Sequence, residues 1–267
     1  MTDPITLPFF QVDAFTSGRP LTGNPAAVMP LEGWLPDEIL QAIAAENNLS
    51  ETAFTVPLSG SEADYHLRWF TPTVEVDLCG HATFASGHIL LKGDTVRFQT
   101  RSGVLAVTRE DDRLWLDLPA SRLRAGQAHT VLDALWVRGP VQIGEGGNGA
   151  ILVRLEDEAA VRAVKPDFAR LRHVDALVMV TAPGTRSDIA SRVFAAYHGI
   201  DEDPVTGSAH STLAEYWCRT LGRNSFRAWQ LSERGGALDV VLDDGGDDPV
   251  VHLTGGAVTM MDVQLRV

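Results

Sequence analysis

The chain has 267 residues, of which 45% are hydrophobic and 21% charged, an ordinary composition for a globular protein with a buried core. Its formal net charge of −13 argues against non-specific binding to nucleic acid or to an anionic membrane surface. An anionic small substrate stays open, because the local field at a site matters more than net charge. The length suits one large domain or two smaller ones.

Several other classes of protein are disfavoured by missing motifs. No apolar run approaches the roughly 18 residues of a membrane-spanning helix, and the N-terminal residues lack the pattern of a signal peptide, so we expect a cytoplasmic protein. Cys79 and Cys218 are too few for a disulfide framework. The histidines show no HExxH-type spacing, so we expect no metal.

The first quarter of the chain predicts short strands around one helix. A proline and a one-sided apolar pattern indicate that helix at residues 36–46. Residues 16–25, rich in Gly, Pro and Thr, predict a loop, where Asn24 suits a turn. Glu51 lies between a second polar loop and a strand, a position where carboxylates are usually solvated. Strands are predicted at residues 7–15, 26–29 and 65–70.

The middle and end of the chain predict more strands than helices. A polar passage at residues 119–130 is the candidate domain boundary. The glycine-rich loop at residues 144–149 lacks the pattern and the lysine of a phosphate-binding loop. Like the loop at residues 16–24, it has no motif that identifies a ligand. Strands are predicted at residues 95–100, 103–108, 113–118, 150–154, 176–180, 238–242, 250–253 and 257–260, and a short helix at 157–164.

Two stretches share one plan: acidic residues, a glycine, small polar residues and then a helix. The longer stretch, residues 201–221, places its apolar residues on one helical face. The other surrounds Gly80, and aligning Gly80 with Gly207 places His81 opposite Ser208. The first turn of each helix offers backbone N–H groups to an anion. The two copies suggest two related halves, each offering such a helix N-terminus to one cleft.

Short sequence blocks are spread in order over nearly the whole chain. They are Gly-Asn-Pro-Ala-Ala-Val at 23–28, Asn-Leu-Ser-Glu-Thr-Ala-Phe at 48–54, Phe-Thr-Pro at 70–72, Cys-Gly-His-Ala-Thr at 79–83, Asp-Glu-Asp-Pro-Val-Thr-Gly-Ser-Ala-His at 201–210, Gln-Leu-Ser-Glu-Arg-Gly-Gly at 230–236 and Leu-Thr-Gly-Gly-Ala-Val at 253–258. This set resembles the PhzF-like, phenazine-biosynthesis-isomerase family. No single block is specific, but the set is.

The resemblance implies an α/β (α+β) fold like that of diaminopimelate epimerase. Such a fold has two pseudo-symmetric domains, each with a curved β-sheet wrapped around a central α-helix. We expect residues 1–118 to form the first domain, completed by about 258–267, and residues 119–257 to form the second. The resemblance also implies an active site in the inter-domain cleft, no cofactor and a homodimer.

By the same resemblance, the catalytic residues of an isomerase fall on Glu51, His81 and Asp203. In the founding member of the family, these positions act on a dihydro-hydroxyanthranilate and move a proton between ring carbons. The shift needs one group that takes a proton at one carbon and returns it at another, a task that suits a desolvated carboxylate. Glu51 is expected to be that group. His81 and Asp203 would relay the proton or orient the substrate, and we favour orientation.

The expected substrate is a small carboxylate that also bears an amine. The backbone N–H groups of Gly80, Thr83, Gly207 and Ser208 would hold its carboxylate at the two helix N-termini. For Asn24 the resemblance implies a polar contact to the substrate, and a role in the turn is the alternative. The resemblance does not establish that the chain takes part in phenazine biosynthesis.

Cys79 leaves another class of enzyme open. Diaminopimelate epimerase uses two opposed thiols, one before each central helix, and Cys79 occupies the position of the first. The second would lie near Asp203, where there is no cysteine, and Cys218 is expected to pack as a small apolar residue. A two-thiol racemase is therefore incomplete, and Cys79 paired with a carboxylate is the alternative catalytic arrangement for an amino-acid racemase or epimerase. A non-catalytic ligand-binding protein is the remaining hypothesis, which the joint presence of Glu51, His81 and Asp203 disfavours.

Overall fold

The computed structural model describes residues 5–60, 62–145 and 149–267. The chain divides into two compact units: unit 1 comprises the residues up to Leu116 together with Gly255–Val267, and unit 2 comprises Asp117–Thr254. The prediction for the N-terminal residues and, within the glycine-rich loop at 144–149, that for residues 146–148 fall outside the described residues. Among the helices that are described, none has the length and apolar character needed to cross a membrane.

Unit 1 is a β-sheet with two helices. Its elements are β1 (Thr6–Thr16), β2 (Asn24–Pro30), α1 (Asp37–Asn47), β3 (Glu51–Pro57), β4 (Tyr65–Phe70), β5 (Glu75–Val76), α2 (Gly80–Leu90), β6 (Thr95–Thr100), β7 (Gly103–Glu110), β8 (Arg113–Pro119) and, from the end of the chain, β18 (Gly256–Arg266). The strand order is β18–β1–β2–β3–β4–β6–β7–β8, with β5 also paired to β4. The pairs β2/β3 and β4/β6 are parallel and the others antiparallel.

The two helices of unit 1 cover opposite faces of the sheet. Helix α2 packs against β1, β2, β3 and β7, so strands from both ends of the sheet meet it and the sheet curves around it. Its residues Gly80–Gly87 are all buried. A Cβ on Gly87 would lie 2.5 Å from the Val107 side chain, so this close approach requires glycine. Helix α1 covers the other face with Leu40, Ile43 and Ala44, which pack on a cluster that includes Leu7 and Phe9.

Unit 2 is built in the same way. Its elements are β9 (Arg122–Gly126), α3 (His129–Leu135), β10 (Val141–Glu145), β11 (Ala150–Arg154), α4 (Glu158–Ala163), α5 (Phe168–Leu171), β12 (Leu177–Pro183), β13 (Ile189–Ala195), a 3-10 turn (Ala196–His198), β14 (Ile200–Asp203), α6 (Gly207–Leu221), β15 (Ser225–Gln230), β16 (Gly236–Asp243) and β17 (Val250–Thr254). Helix α6 packs against β9, β11, β15, β16 and β17. A separate apolar cluster lies around α3, α4 and α5.

The two sheets have one strand order. In unit 2 the order is β9–β10–β11–β12–β13–β15–β16–β17, with β14 also paired to β13. Its parallel pairs, β11/β12 and β13/β15, stand at the same places as those of unit 1. The predicted fold of two related halves, each a sheet around one helix, is therefore confirmed.

The predictions from local sequence pattern misplaced the boundaries of several strands. Asn24, predicted in a loop, and Glu51, predicted between a loop and a strand, are the first residues of β2 and β3, because these strands pair in parallel beside α2. The acidic run at 201–203 lies in β14, where Arg192 of β13 neutralises Glu202 at 2.7 Å. The polar passage at 119–130 contains β9, and β18 continues to Arg266 instead of ending near residue 260. Pairing with neighbouring strands decided each of these cases.

Candidate active site

Two neighbouring strands bring a carboxylate and an amide to one end of the unit 1 sheet. Glu51 lies opposite Ala26 in the parallel pair of β3 and β2, and Asn24 opens β2 two residues earlier. Gly23, just before it, has a φ of 83°, and a Cβ there would lie 2.4 Å from the backbone oxygen of Ala14. Only glycine fits this turn without strain. The turn therefore sets where Asn24 begins the strand.

The N-terminus of α2 supplies a thiol and an imidazole. Cys79 is the N-cap residue, with extended backbone angles, and His81 is the second residue of the helix. The Thr83 hydroxyl donates a hydrogen bond to the backbone oxygen of Cys79 at 2.5 Å, and the Thr83 side chain is fully buried. The backbone N–H of Thr83 donates to the same oxygen at 3.3 Å, so this N–H is used within the helix and does not support the predicted contact with a substrate carboxylate.

His81 stands at the centre of the polar cluster in unit 1. Its Nε2 lies 3.2 Å from Oε2 of Glu51, and its Nδ1 lies 3.1 Å from Nδ2 of Asn24. An amide nitrogen can only donate, so Nδ1 accepts and the ring proton resides on Nε2, facing Glu51. Burial lowers the pKa of His81 to about 3, so the ring is neutral near pH 7. The contact therefore joins a neutral imidazole to a carboxyl group and is not an ion pair.

Partial burial suits Glu51 for proton transfer. Its side chain is 12% exposed, whereas that of His81 is 3% exposed. Although their nearest atoms lie 3.2 Å apart, the contact lacks the alignment of a regular hydrogen bond. Such contacts in the absence of substrate often tighten when substrate binds. Glu51 is thus held beside a fixed N–H donor and keeps some access to solvent.

Cys79 lies on the other side of the same imidazole. Its Sγ is 3.5 Å from Nδ1 of His81, and its side chain is buried. Glu51, Cys79 and His81 each offer one atom to a set whose members all lie within 4.8 Å of one another. Thiolate, imidazole and carboxylate are ligands of zinc, so these side chains can hold a metal ion. Sequence spacing missed this set because its members come from a strand and a helix.

The N-terminus of α6 in unit 2 has a fixed polar network. Asp203 ends β14, and its Oδ2 accepts a short hydrogen bond from the hydroxyl of Thr206, the N-cap residue. Gln230 bridges the turn: its Nε2 donates to the backbone oxygen of Asp203 at 2.7 Å, and its Oε1 accepts from the backbone N–H of Thr206 at 2.9 Å. Gly207 is buried and Ser208 partly exposed. Sequence reasoning placed Gln230 in a matching block but did not identify this role.

His210 is a second buried, neutral histidine. Its Nδ1 donates to the backbone oxygen of Thr206 at 2.7 Å, and burial lowers the pKa of His210 to about 4. Since Nδ1 donates, Nε2 is the acceptor nitrogen, and it has no hydrogen-bond partner among the described residues. The side chain is fully buried. His210 therefore stabilises the first turn of α6 and keeps one unused acceptor.

The predicted site residues thus form two groups. Asn24, Glu51, Cys79 and His81 make up a cluster in unit 1, beside Gly80. Asp203 lies in unit 2, beside Gly207 and Ser208. Cys218 lies far along α6, and burial raises the pKa of its thiol to about 11, so it is an inert packing residue.

Comparison with known proteins gives consistent matches along the whole chain. The family model for "Phenazine biosynthesis-like protein" (PhzC-PhzF) matches residues 12–263. A Pseudomonas aeruginosa protein named an uncharacterized isomerase is 50% identical, with 97% of this chain and 98% of the relative covered. The human phenazine biosynthesis-like domain-containing protein is 37% identical, with 96% and 98% covered. The crystal structure of an Enterococcus faecalis PhzF-family protein, 38% identical, superposes with a TM-score of 0.85 over 98% of this chain and 100% of that one.

Proposed function

Because this chain belongs to the PhzC-PhzF phenazine biosynthesis-like family, and relatives of the chain are named isomerases, we propose that it is a cofactor-independent isomerase with Glu51 as its acid and base. The substrate is a small carboxylate that bears an amine, of the dihydro-hydroxyanthranilate type. The observation that carries the proposal is the contact of the Glu51 carboxyl group with the fixed Nε2–H of His81 at 3.2 Å.

Glu51 would take a proton from one carbon of the substrate and return it to another. A carboxylate can do both steps, because it becomes the acid once it has accepted the proton. A partly buried carboxylate strengthens this exchange, since water competes less for the proton. No step needs an electron acceptor or a group carrier, which is why we propose chemistry without a cofactor.

His81 acts as a positioning residue in this proposal. A ring with a pKa of about 3 is a weak base, and its Nε2–H is held by the contact between Nδ1 and Asn24. The Nε2–H therefore orients Glu51 before the proton is taken. A weak base of this kind argues against relay by His81, and the predicted orientation of the substrate by this ring stays a prediction.

Substrate binding would use the helix N-termini. Helices α2 and α6 are long enough to carry a useful dipole, and their first-turn N–H groups point out of the helix. These groups belong to Gly80 in α2 and to Gly207 and Ser208 in α6. We propose that the N–H groups of α2, in the unit that carries Glu51, hold the substrate carboxylate. For Gly207, Ser208 and Asp203, a contact with substrate stays the expectation from the resemblance. Thr206 and Gln230 hold Asp203 in place for that contact.

An isotope-incorporation assay tests this proposal. The full chain is incubated in D2O with a dihydro-hydroxyanthranilate and a panel of small amino and cyclic carboxylates, and mass spectrometry follows deuterium uptake and isomer formation. We expect uptake or isomerisation with at least one compound, lost in Glu51→Gln and kept in Cys79→Ser. Binding of a panel compound without any exchange, in wild type as in Glu51→Gln, would instead identify a ligand-binding protein.

A second candidate function rests on Cys79. Its Sγ lies 3.5 Å from Nδ1 of His81, within the same polar cluster as Glu51, and a thiolate at this position would be a nucleophilic base. In that case the thiol and a carboxylate would act on opposite sides of one carbon, which is racemase or epimerase chemistry. Loss of exchange in Cys79→Ser, with activity kept in Glu51→Gln, would favour this function over the first.

A further inference from the structure

The N-terminus of α2 presents a thiol and an imidazole nitrogen to each other. The Sγ of Cys79 lies 3.5 Å from Nδ1 of His81. Zinc binds a thiolate sulfur at about 2.3 Å and an imidazole nitrogen at about 2.0–2.1 Å, which places two such ligands about 3.6 Å apart around a tetrahedral ion. The two side chains therefore already have the separation of neighbouring ligands of one zinc ion.

The protonation of the His81 ring suits a metal at Nδ1. This nitrogen accepts a hydrogen bond from Nδ2 of Asn24 at 3.1 Å, so it carries the lone pair, whereas Nε2 carries the proton and faces Oε2 of Glu51 at 3.2 Å. Histidines that bind metals commonly direct their other N–H at a carboxylate, which fixes the ring and makes it a stronger ligand. Glu51 has that place here, so metal binding needs no change of tautomer.

Charge and ligand type select the kind of ion. Glu51, Cys79 and His81 offer ligand atoms that all lie within 4.8 Å of one another. With the thiol and the carboxyl group ionised, the cluster has two negative charges, which a divalent cation offsets in a site that is mostly buried. A thiolate favours zinc over magnesium or calcium, which prefer oxygen ligands. The position of Cys79 at a helix N-terminus also stabilises its thiolate form.

We propose that Zn²⁺ binds to Cys79 Sγ and His81 Nδ1 and that the bound ion reversibly inhibits the isomerase reaction, an inference whose inhibitory part rests on the proposed function. The thiol proton passes to the solvent when the Zn–S bond forms, and no electron is transferred. Water fills the remaining positions on the ion. The ion displaces the Asn24 amide from Nδ1 and draws electron density from the ring. Nε2–H then binds the Glu51 carboxylate more strongly, so Glu51 becomes a weaker base.

Cobalt titration of the metal-free full chain tests the site without substrate. Co²⁺ takes the place of Zn²⁺ as a probe, and a thiolate bound to Co²⁺ gives a charge-transfer band in the near ultraviolet. We expect one Co²⁺ per chain with this band, and loss of the band when Zn²⁺ is added. Cys79→Ser should abolish the band, whereas Cys218→Ser, the matched control at the other cysteine, should keep it. Glu51→Gln should weaken Zn²⁺ binding about 10–100-fold, because the imidazole loses its carboxylate.

Asn24→Asp gives a gain of affinity that misfolding cannot produce. The amide Nδ2 competes with the ion for the lone pair of Nδ1, and a carboxylate of the same shape removes that donor and adds an oxygen ligand beside the ion. Zn²⁺ is therefore expected to bind at least about tenfold more tightly, as measured by calorimetry. Circular dichroism confirms that the variants that lose affinity are folded. Unchanged or weaker binding in a folded Asn24→Asp protein contradicts the assignment of Nδ1 as the ligand atom.

The D2O assay measures inhibition of the wild type. Zn²⁺ should stop exchange and EDTA should restore it, Mg²⁺ should have no effect, and Cys218→Ser should be inhibited as wild type is. Stimulation by Zn²⁺, or full exchange in a chain whose site is occupied, contradicts the inhibition. A wild type without the Co²⁺ band, or a band that remains in Cys79→Ser, contradicts the site itself. Because the cobalt titration needs no substrate, a chain that binds the ion but exchanges with no compound contradicts the proposed function, and with it the inhibition, but not the site.

Discussion

Units 1 and 2 share one scaffold, including an ion pair that occurs in both. Arg68 of β4 binds Glu75 of β5, and Arg192 of β13 binds Glu202 of β14, each through Nε at 2.7 Å. Each guanidinium also lies over the phenylalanine two residues farther along its strand. A feature that both units keep, away from the polar clusters, is best explained by the needs of the fold.

The carboxylate of the proposed acid and base occurs in one unit. Glu51 lies opposite Ala26 at the start of the parallel pair of β2 and β3. At the start of the equivalent pair, β11 and β12, Leu177 lies opposite Ala150. The scaffold therefore does not require an acid here, since unit 2 forms the same pair with a leucine.

Asp203 is likewise an acid that occurs in one unit and not at the equivalent position of the other. It lies opposite Val193 in the pair of β13 and β14, four residues before Gly207. Val76 takes that place in unit 1, four residues before Gly80 and opposite Trp69 in the pair of β4 and β5. Comparison of the units thus separates residues that maintain the fold from acids that a site requires.

The helix N-termini show the same scaffold built from different side chains. In α2 the hydroxyl of Thr83 donates to the oxygen of Cys79, and in α6 the Nδ1 of His210 donates to the oxygen of Thr206. These residues hold matching positions relative to Gly80 and Gly207. Either side chain can donate a hydrogen bond to the backbone oxygen of the N-cap residue. This role is therefore structural, and different residue types can fill it.

The largest expected effect on activity comes from substitution of Glu51, the acid that unit 2 lacks at the equivalent position. We expect Glu51→Gln to lower kcat/KM about 10³-fold or more, because the amide cannot exchange a proton. Leu177→Met, at the equivalent position of unit 2, is the matched control and should leave kcat/KM nearly unchanged. Steady-state kinetics on the substrate found in the D2O assay measures both. A Glu51→Gln enzyme within tenfold of wild type would argue against the assigned role.

The ion pair that occurs in both units is expected to stabilise each of them, which the free energy of unfolding can test. Glu75→Gln and Glu202→Gln should each lower the free energy of unfolding by about 1–3 kcal/mol, because each removes the carboxylate that binds Nε of a mostly buried guanidinium. Arg68 keeps a second ion pair, with the exposed Asp37 at 2.9 Å. Urea denaturation measures the two changes. Glu215→Gln, whose partner Arg219 is 76% exposed, is the control and should change stability by less than about 0.5 kcal/mol. Destabilisation by one variant alone would contradict the shared scaffold.

Acid should destabilise both units through their buried histidines. His81 and His210 have native pKa values of about 3 and about 4, below the unfolded value of 6.5, so the unfolded chain binds more protons between these values. Stability therefore falls as pH drops below about 6.5, by about 2 kcal/mol per histidine at pH 5. Urea titrations at pH 7 and pH 5 measure the loss.

Substitution separates these histidines from other acid-sensitive groups. His210→Asn should reduce the pH dependence of the free energy of unfolding, whereas His129→Gln, at an exposed position, should not. An unchanged pH dependence in His210→Asn would show that this ring is not held neutral in the fold.

The smallest expected effect concerns the orientation of His81. Asn24→Ala removes the donor to Nδ1, so the ring proton is no longer held on Nε2, and we expect kcat to fall about tenfold. Nitrogen-15 chemical shifts of the His81 ring report the tautomer directly. A fall in kcat with the tautomer unchanged would assign Asn24 a direct contact with the substrate instead.

Local sequence pattern predicted the helices at Gly80 and Gly207 and the relation between the halves, because helical periodicity and small residues act over a few positions. It could not bring Glu51 to His81, since that contact depends on how β3 packs against α2. The resemblance to the family named both residues before their proximity was known. The role of Gln230 and the set of Glu51, Cys79 and His81 as metal-type ligands also depend on packing, and no local pattern signals them.

The central claim is that one carboxylate takes and returns the same proton. The most direct test uses substrate deuterated at the carbon that loses its proton, converted in ordinary water under single-turnover conditions, with mass spectrometry of the product. The account predicts that part of the deuterium reappears at the new carbon in wild type and in Cys79→Ser. A product whose transferred hydrogen comes entirely from water, even at early times, would contradict it and point to two opposed groups with Cys79 as one of them.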